Sequence, residues 1–424
     1  MRLAIRLRTD KITLMISFET AQRIIRERAS TYRLDTEVIA LHEAVGRVCA
    51  EDVLAPLSIQ PFDNSAMDGF AVRMCDLEGA SEEAPVVLEK SGVIAAGDPV
   101  PEEALRAEKC IHIMTGAPVP KGTDAVVPIE NVDVQDQKIT FKSVPKLMAN
   151  IRRAGEDFQK GDEILKTGDT LGVAHILPLA TLGISQLRVF KKPKVAFMAT
   201  GREIVDDLST PLESGQIYNS NRPYALAMLE ALGCDVLPCE TVRDDLEVFC
   251  KELKNLMSEK CDIIISSGAV SAGEFDFVKE GLEKIGADII FHKVKLKPGK
   301  PNLFAILPNG AFYFGLPGNP VASAVGLRFF VVSALRAMMG QEPEKPLHAR
   351  AMTKFIKKSG LHMILKGKSE SWEDGTRSVD ILDGQASFMV SPFLKMNCWV
   401  HVPESVEIIK PGEVVEFYPL LPRT

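Results

Sequence analysis

KVAFMAT at residues 194–200 and CDIIISSG at residues 261–268 are the two stretches on which the fold turns. Each is an apolar run of strand length that breaks into small or hydroxyl residues, Thr200-Gly201 in one and Ser266-Ser267-Gly268 in the other. Around them the spacing predicts a helix over about 222–232, a strand DVLPCETV at 235–242, a helix over about 245–258, and a loop and helix over about 275–285. Strands alternating with crossover helices imply a parallel sheet in an α/β unit. In such sheets ligands bind beyond the carboxyl ends of the strands, so Thr200-Gly201 and Ser266–Gly268 mark the rim of a candidate cleft.

Outward from this unit the pattern changes in both directions. Toward the N-terminus, Phe18, Ala21, Ile24 and Ile25 share one helical face, and the stretch from Ser17 to Ala50 reads as helical. Between Pro56 and Asn150, glycines, prolines and short β-rich runs (Ala84–Lys90, Asp124–Ile129) replace that pattern, and a strand-and-turn region over 151–189 returns to the N-terminal element. Beyond Gly340 and Pro343, the runs Leu347–Phe355, Ser387–Val390 and Val414–Tyr418 predict strands of a small β-domain. The expected division is a discontinuous N-terminal or linker domain (15–60 with 150–190), a β-rich domain (61–149), an α/β domain (191–340) and a C-terminal β-domain (341–424).

A chain of 424 residues suits several domains, and 46% hydrophobic with 25% charged residues excludes disorder. The net charge of −7 argues against a nucleic-acid face. Eight scattered cysteines without Cys-x-x-Cys spacing give no zinc site and fit reduced cytosolic thiols. Asp10 and Lys11 interrupt the start of the chain, which therefore lacks the apolar core of a secretion signal, and residues 1–14 are set aside. The apolar segment 321–339 carries Arg328 and Arg336 and reads as a buried helix of a soluble protein. A cytoplasmic protein without membrane or nucleic-acid partner is expected.

Several loops carry candidate chemistry. PFDNSAMDGFAV (61–72) is rich in turn-forming acceptors around Asp68, IMTGAPVPKGTDAVVPIE (113–130) turns at Thr115-Gly116 between stiffening prolines, and RRAGEDFQKGD (152–162) sets Asp157 among charges that could equally form a surface ion-pair cluster. In ATGREIV (199–205), Glu203 follows the strand end, where an acid could orient a nucleotide group, bind magnesium, or simply start a helix. SSGAVSAGEFDF (266–277) offers Ser267, Gly268 and Ser271 as a phosphate-type loop without P-loop spacing, with Glu274 and Asp276 beside it. KVKLKPGKP (293–301) puts Lys293, Lys295 and Lys297 on one strand face, followed by Lys300. In LPGNP (316–320), Asn319 reads as an N-cap and Pro320 as the first helical residue. The seven histidines form no metal set.

Taken in order, these loops resemble the MoeA family and the E domain of gephyrin over roughly residues 15–340. The resemblance implies an elongated four-domain architecture with a central MogA-like α/β domain and a C-terminal β-barrel-like domain, assembled as a homodimer whose active site lies between the α/β domain of one subunit and the β-domain of its partner. It implies a molybdopterin molybdotransferase that inserts molybdate into adenylated molybdopterin with magnesium-dependent release of AMP, the last step of molybdenum-cofactor assembly. A MogA-type adenylyltransferase is the implied partner, and a gephyrin-like scaffold or a pterin adenylyltransferase are the alternatives. On this resemblance Asp68, Thr115, Asp157, Glu203 and Asp276 are the catalytic candidates. Ser267, Gly268, Ser271, Lys293, Lys297, Lys300 and Asn319 would bind substrate or oxyanion, and Glu203, Asp244 and Asp276 would hold magnesium. The chain departs from the family at Arg202, at Gly268-Ala269, and at Gly360-Leu361, where the family often has Gly-Arg.

Overall fold

The computed structural model of the chain describes residues 15–239, 241–242, 245–268, 277–357 and 360–422. Its central sheet has six strands: β1 (Lys194–Ala199), β2 (Asp235–Leu237), β3 (Ile263–Ser267), β4 (Asp288–His292), β5 (Leu303–Ile306) and β6 (Phe312–Leu316). Their lateral order is β2-β1-β3-β6-β5-β4. The first four in that order run parallel. A wholly parallel sheet is corrected at the other edge, where β5 is antiparallel to both β6 and β4. Only residues 307–311 separate β5 from β6, enough for a hairpin turn and too few for a helical crossover.

Alternate residues of β1 and β3 feed two different cores. Val195, Phe197, Ile263 and Ile265 face one, and Ala196, Met198 and Ile264 face the other. Burial on both faces is why these runs are continuously apolar rather than alternating. The crossover helices Asn221–Ala231, Leu246–Ser258 and Phe277–Ile285 cover the sheet, the second capped by Asp245, whose carboxylate accepts the amides of Glu247 and Val248 at 2.9 and 3.0 Å.

The apolar segment forms a helix, Pro320–Met338, that is 89% buried, with a π-helical stretch at Leu327–Val331. Arg328 sits inside that stretch, 2% exposed, donating from Nη2 to both carboxylate oxygens of Glu344 at 2.9 and 2.7 Å and from Nε to the Pro419 carbonyl.

The N-terminal helix spans only Phe18–Ala29, with the Ser17 hydroxyl accepting the Thr20 amide. The helical reading of Ser17–Ala50 is corrected beyond it: Thr36–Ala40, an alternating and partly β-branched run, pairs antiparallel with Gln186–Phe190. Phe18, Ala21, Ile25 and Ala29 pack into the same core as one face of the central sheet, and that core continues to Ile364, Met396 and Trp399. A second six-stranded sheet runs from Ala125–Pro128 through Gly69–Val72, Lys109–Ile113, Val86–Ile94 and Lys138–Phe141 to Val132–Gln135. In the C-terminal region, His362–Ser371 pairs with both Arg377–Ile381 and Cys398–Val402, and Leu347–Ala351 and Val414–Pro419 complete a closed barrel. The strand expected at Ser387–Val390 is corrected to a turn, with the Met389 amide donating to the Ala386 carbonyl, which leads into a 3₁₀ turn at Ser391–Leu394 where Pro392 sets helical φ.

Candidate active site

A cleft of about 560 Å³ opens at the carboxyl ends of β1, β3 and β6. Its floor is tightly specified. The Thr200 amide donates to the Ser267 carbonyl at 2.9 Å, and a Cβ on Gly268 (φ +108°) would lie 2.5 Å from the Thr200 carbonyl oxygen and 2.6 Å from its hydroxyl. At Gly201 (φ +142°) a Cβ would fall 2.7 Å from the Glu203 carboxylate, which folds back over the strand end. The positive φ favours glycine at both positions, and at Gly268 the Thr200 backbone also leaves no room for a side chain, so there the small residue serves close approach as well as turning. Asn221 donates from Nδ2 to the Ser267 hydroxyl at 2.7 Å and to the Gly318 carbonyl at 2.8 Å, tying β3, the first crossover helix and the 316–320 loop together.

Of the expected residues, Glu203, Ser267, Gly268 and Asn319 line this cleft. Asn319 occupies the N-cap position of the 320–338 helix, but its side chain makes no capping bond, which corrects the capping expectation. Pro320 has no amide to cap, and the Val321 amide is taken instead by the Ser387 carbonyl at 3.1 Å. The lysines lie outside the lining. Val294 and Leu296 are buried between Lys293, Lys295 and Lys297, as strand alternation requires, although Lys293 takes φ +83° and Lys295 lies 3.9 Å from Glu404. Lys297 and Lys300 are exposed, and Pro301, next to Lys300, is part of the cleft wall. Asp244, Ser271, Glu274 and Asp276 lie outside the described residues. Among the described residues no group of three or more His, Cys, Asp or Glu gathers as a metal set.

The remaining candidates form a second constellation. Asp68 accepts both the amide and the hydroxyl of Thr115, at 2.6 and 2.8 Å, and these bonds hold its carboxyl below the usual carboxylate range. Ser65 exchanges backbone bonds with Gly116 and Ala117, Asp63 accepts the Ala154 amide at 2.8 Å, and the Asp157 amide donates to the Ile59 carbonyl at 2.8 Å. Three separate motifs are thus knitted into one loop cluster, with Asp68, Thr115 and Asp157 exposed on it. Glu156 accepts the Arg153 amide at 2.9 Å, so this acid closes a turn. Asp68, Thr115 and Asp157 do not line the cleft of their own chain.

Thr200, expected at the rim, lines the cleft, and the sequence reading did not single out Asn219, Asn221 or Phe388, which line it too. The polar run Tyr218–Asn221 just before a helix was a usable signal for two of them. Asn219 is buried, donates to Asp206 at 2.6 Å and accepts the Arg222 amide at 3.1 Å.

Fold and cleft together define a multidomain protein in which a mixed α/β sheet presents a polar cleft at its strand ends, flanked by a β-sheet region and a closed barrel. The chain belongs to the MoeA family. Residues 16–183 match the MoeA N-terminal region (domains I and II), 196–337 a probable molybdopterin binding domain, and 348–420 the MoeA C-terminal region (domain IV). It is 38% identical to a molybdopterin molybdenumtransferase of Haemophilus influenzae, covering 96% of this chain and 98% of that one. It is 33% identical to a protein of the same name from Synechococcus elongatus, covering 95% and 99%. A crystal structure of a molybdopterin biosynthesis MoeA protein from Pyrococcus horikoshii superposes with a TM-score of 0.81 at 29% identity, covering 96% of this chain and 99% of that one.

Proposed function

We propose that this chain is a molybdopterin molybdotransferase, which joins molybdate to adenylated molybdopterin and releases AMP in the last step of molybdenum-cofactor assembly. The observation that carries the reading is the cleft at the ends of β1 and β3, whose glycine-specified backbone and polar floor suit an anionic, phosphate-bearing substrate. Thr200, Asn221 and Ser267 would orient the phosphoanhydride, and Lys293, Lys297 and Lys300, outside the lining but in the segment that leads into the cleft wall at Pro301, are proposed to supply positive charge where an anionic oxide must approach an anionic ester. Glu203 is the carboxylate of the described cleft, and a single carboxylate with phosphate oxygens and water suits magnesium; Asp244 and Asp276 are proposed as further ligands. Bound there, magnesium would supply charge neutralisation at the phosphoanhydride. No protein nucleophile is required, since the pterin's own dithiolene sulfurs take up the metal oxide.

We further propose a homodimer in which the Asp68–Thr115–Asp157 cluster of one protomer faces the cleft of the other, because within one chain the two constellations remain separate. An adenylyltransferase of the MogA type would supply the substrate, and the cytoplasm is the proposed location. The test is an assay of purified protein with adenylated molybdopterin and magnesium, comparing molybdate, tungstate and no oxyanion. AMP release that depends on oxyanion is expected, and no AMP under any condition would favour a scaffold instead.

A further inference from the structure

One wall of the cleft comes from the far end of the chain. Phe388 lines it, yet the residue is 69% exposed, an unusual position for a phenylalanine carried on a turn. The turn is fastened from three sides. The Ser387 carbonyl accepts the Val321 amide at the start of the 320–338 helix. Gln385 pairs with the Lys366 backbone in both directions, its Oε1 accepting the Lys366 amide at 2.9 Å and its Nε2 donating to the Lys366 carbonyl at 2.9 Å. The Lys366 ammonium, 1% exposed, donates to the carbonyls of Ala386 at 3.3 Å and Met389 at 2.9 Å, the two residues that bracket Ser387 and Phe388. Burying a lysine against carbonyls alone is costly, and burial pushes its pKa down to about 8. Such a cost is out of proportion for a loop that only connects strands. It is in proportion for a turn that must hold one ring in place.

We infer that Phe388 is a binding residue of the cleft, an aromatic platform for the planar fused heterocycle of a phosphorylated substrate, and that Lys366 positions it. Thr200, Asn221 and Ser267 give the cleft polar lining suited to a phosphate, and Phe388, Ile204 and Ile217 give it apolar lining suited to a ring, so the cleft carries both chemistries that a ring-plus-phosphate ligand needs. A purine and a pteridine share this chemistry. The assignment rests on reading the cleft as the substrate site.

Calorimetric titration of the full chain with AMP, with neopterin monophosphate and with ribose 5-phosphate separates the cases. AMP tighter than ribose 5-phosphate assigns a purine to the platform, and neopterin monophosphate tighter assigns a pterin. Phe388→Ala should weaken the preferred ring ligand roughly 5- to 100-fold, the range of one ring–aromatic stack, leave ribose 5-phosphate unchanged, and be rescued by Phe388→Trp. Lys366→Met should weaken the same ligand, and the double variant should be no worse than Phe388→Ala alone, a non-additivity that a general loss of stability would not produce. Ring ligands bound equally well by Phe388→Ala would overturn the assignment while leaving the functional reading intact. Binding of no ring ligand by the unmodified chain would overturn both.

Discussion

At the scale of single residues, the junction between the N-terminal helix and the barrel is held by a row of three titratable groups. His362 Nδ1 lies 3.0 Å from the Glu19 carboxylate, and its Nε2 lies 3.2 Å from His401 Nδ1. A proton on each Nδ1 satisfies both contacts and leaves the buried Nε2 of His401 as a bare acceptor without a partner among the described residues. Phe18, Phe329 and Tyr418 pack their rings against the pair, and Lys357 and Arg328 add positive charge. Burial lowers the pKa of His362, and it lowers that of His401 well below the ordinary imidazole value, outweighing Glu19. The unfolded chain therefore binds protons near pH 6.5 that the folded chain refuses, so stability is full above that pH and falls as pH drops below it. Thermal melts from pH 7.5 to 5 should show this fall at up to about 1.4 kcal/mol per pH unit for each imidazole, and His401→Phe should flatten it. An unchanged slope in that variant would remove the pair from the explanation. None of this was legible in the sequence, because Glu19, His362 and His401 meet only through the fold. Thr200, Ser267 and Gly268 were legible, because their place at strand ends follows from the strands alone.

At the scale of elements, two-sided burial made β1 and β3 readable: an apolar run with no alternation has few other uses in a chain of this composition. The strand Thr36–Ala40 was absorbed into the helical reading, since its partner Gln186–Phe190 is remote in sequence and five residues are a short stretch in which to recognise the change from helical spacing to alternation. The antiparallel return of β5 was encoded in the short 307–311 connection rather than in either strand. The 320–338 helix shows how a charge can sit inside an apolar element. Arg328 is buried in its π-helical stretch and matched by Glu344, and the Pro419 carbonyl uses its Nε–H, so the pair fastens the helix to the last strand of the barrel. Removing one partner leaves an uncompensated buried charge, whereas removing both leaves an apolar site. Glu344→Ala is expected to cost about 3–5 kcal/mol in denaturant unfolding, and Arg328→Met with Glu344→Leu distinctly less. If the double variant proved the less stable, the pair would be a net contributor rather than a matched liability.

At the scale of the whole molecule, the two constellations differ in how they are built. The cleft is assembled from strand ends, a helix start and a barrel turn that share continuous cores, while the Asp68–Thr115–Asp157 cluster is stitched by backbone and carboxylate hydrogen bonds among three loops, two of the β-sheet region and one of the segment that follows it. Among the described residues the acids of the cluster take no part in lining the cleft, and the cleft itself holds a single carboxylate, Glu203. The proposed two-fold dimer would supply both acids and cleft at once, since an isologous arrangement that brings one cluster to one cleft brings the other pair together as well. The consequence can be tested by mixing two inactive chains. With Asp68→Ala in one and Glu203→Ala in the other, each homodimer carries the same defect in both sites. A mixed dimer carries both defects in one site and none in the other. Refolded together in equal amounts, half the dimers are mixed and each has one intact site, so about a quarter of the unmodified AMP-release rate should return. If cluster and cleft served each other within one chain, mixing would restore nothing, because every site would keep its own defect.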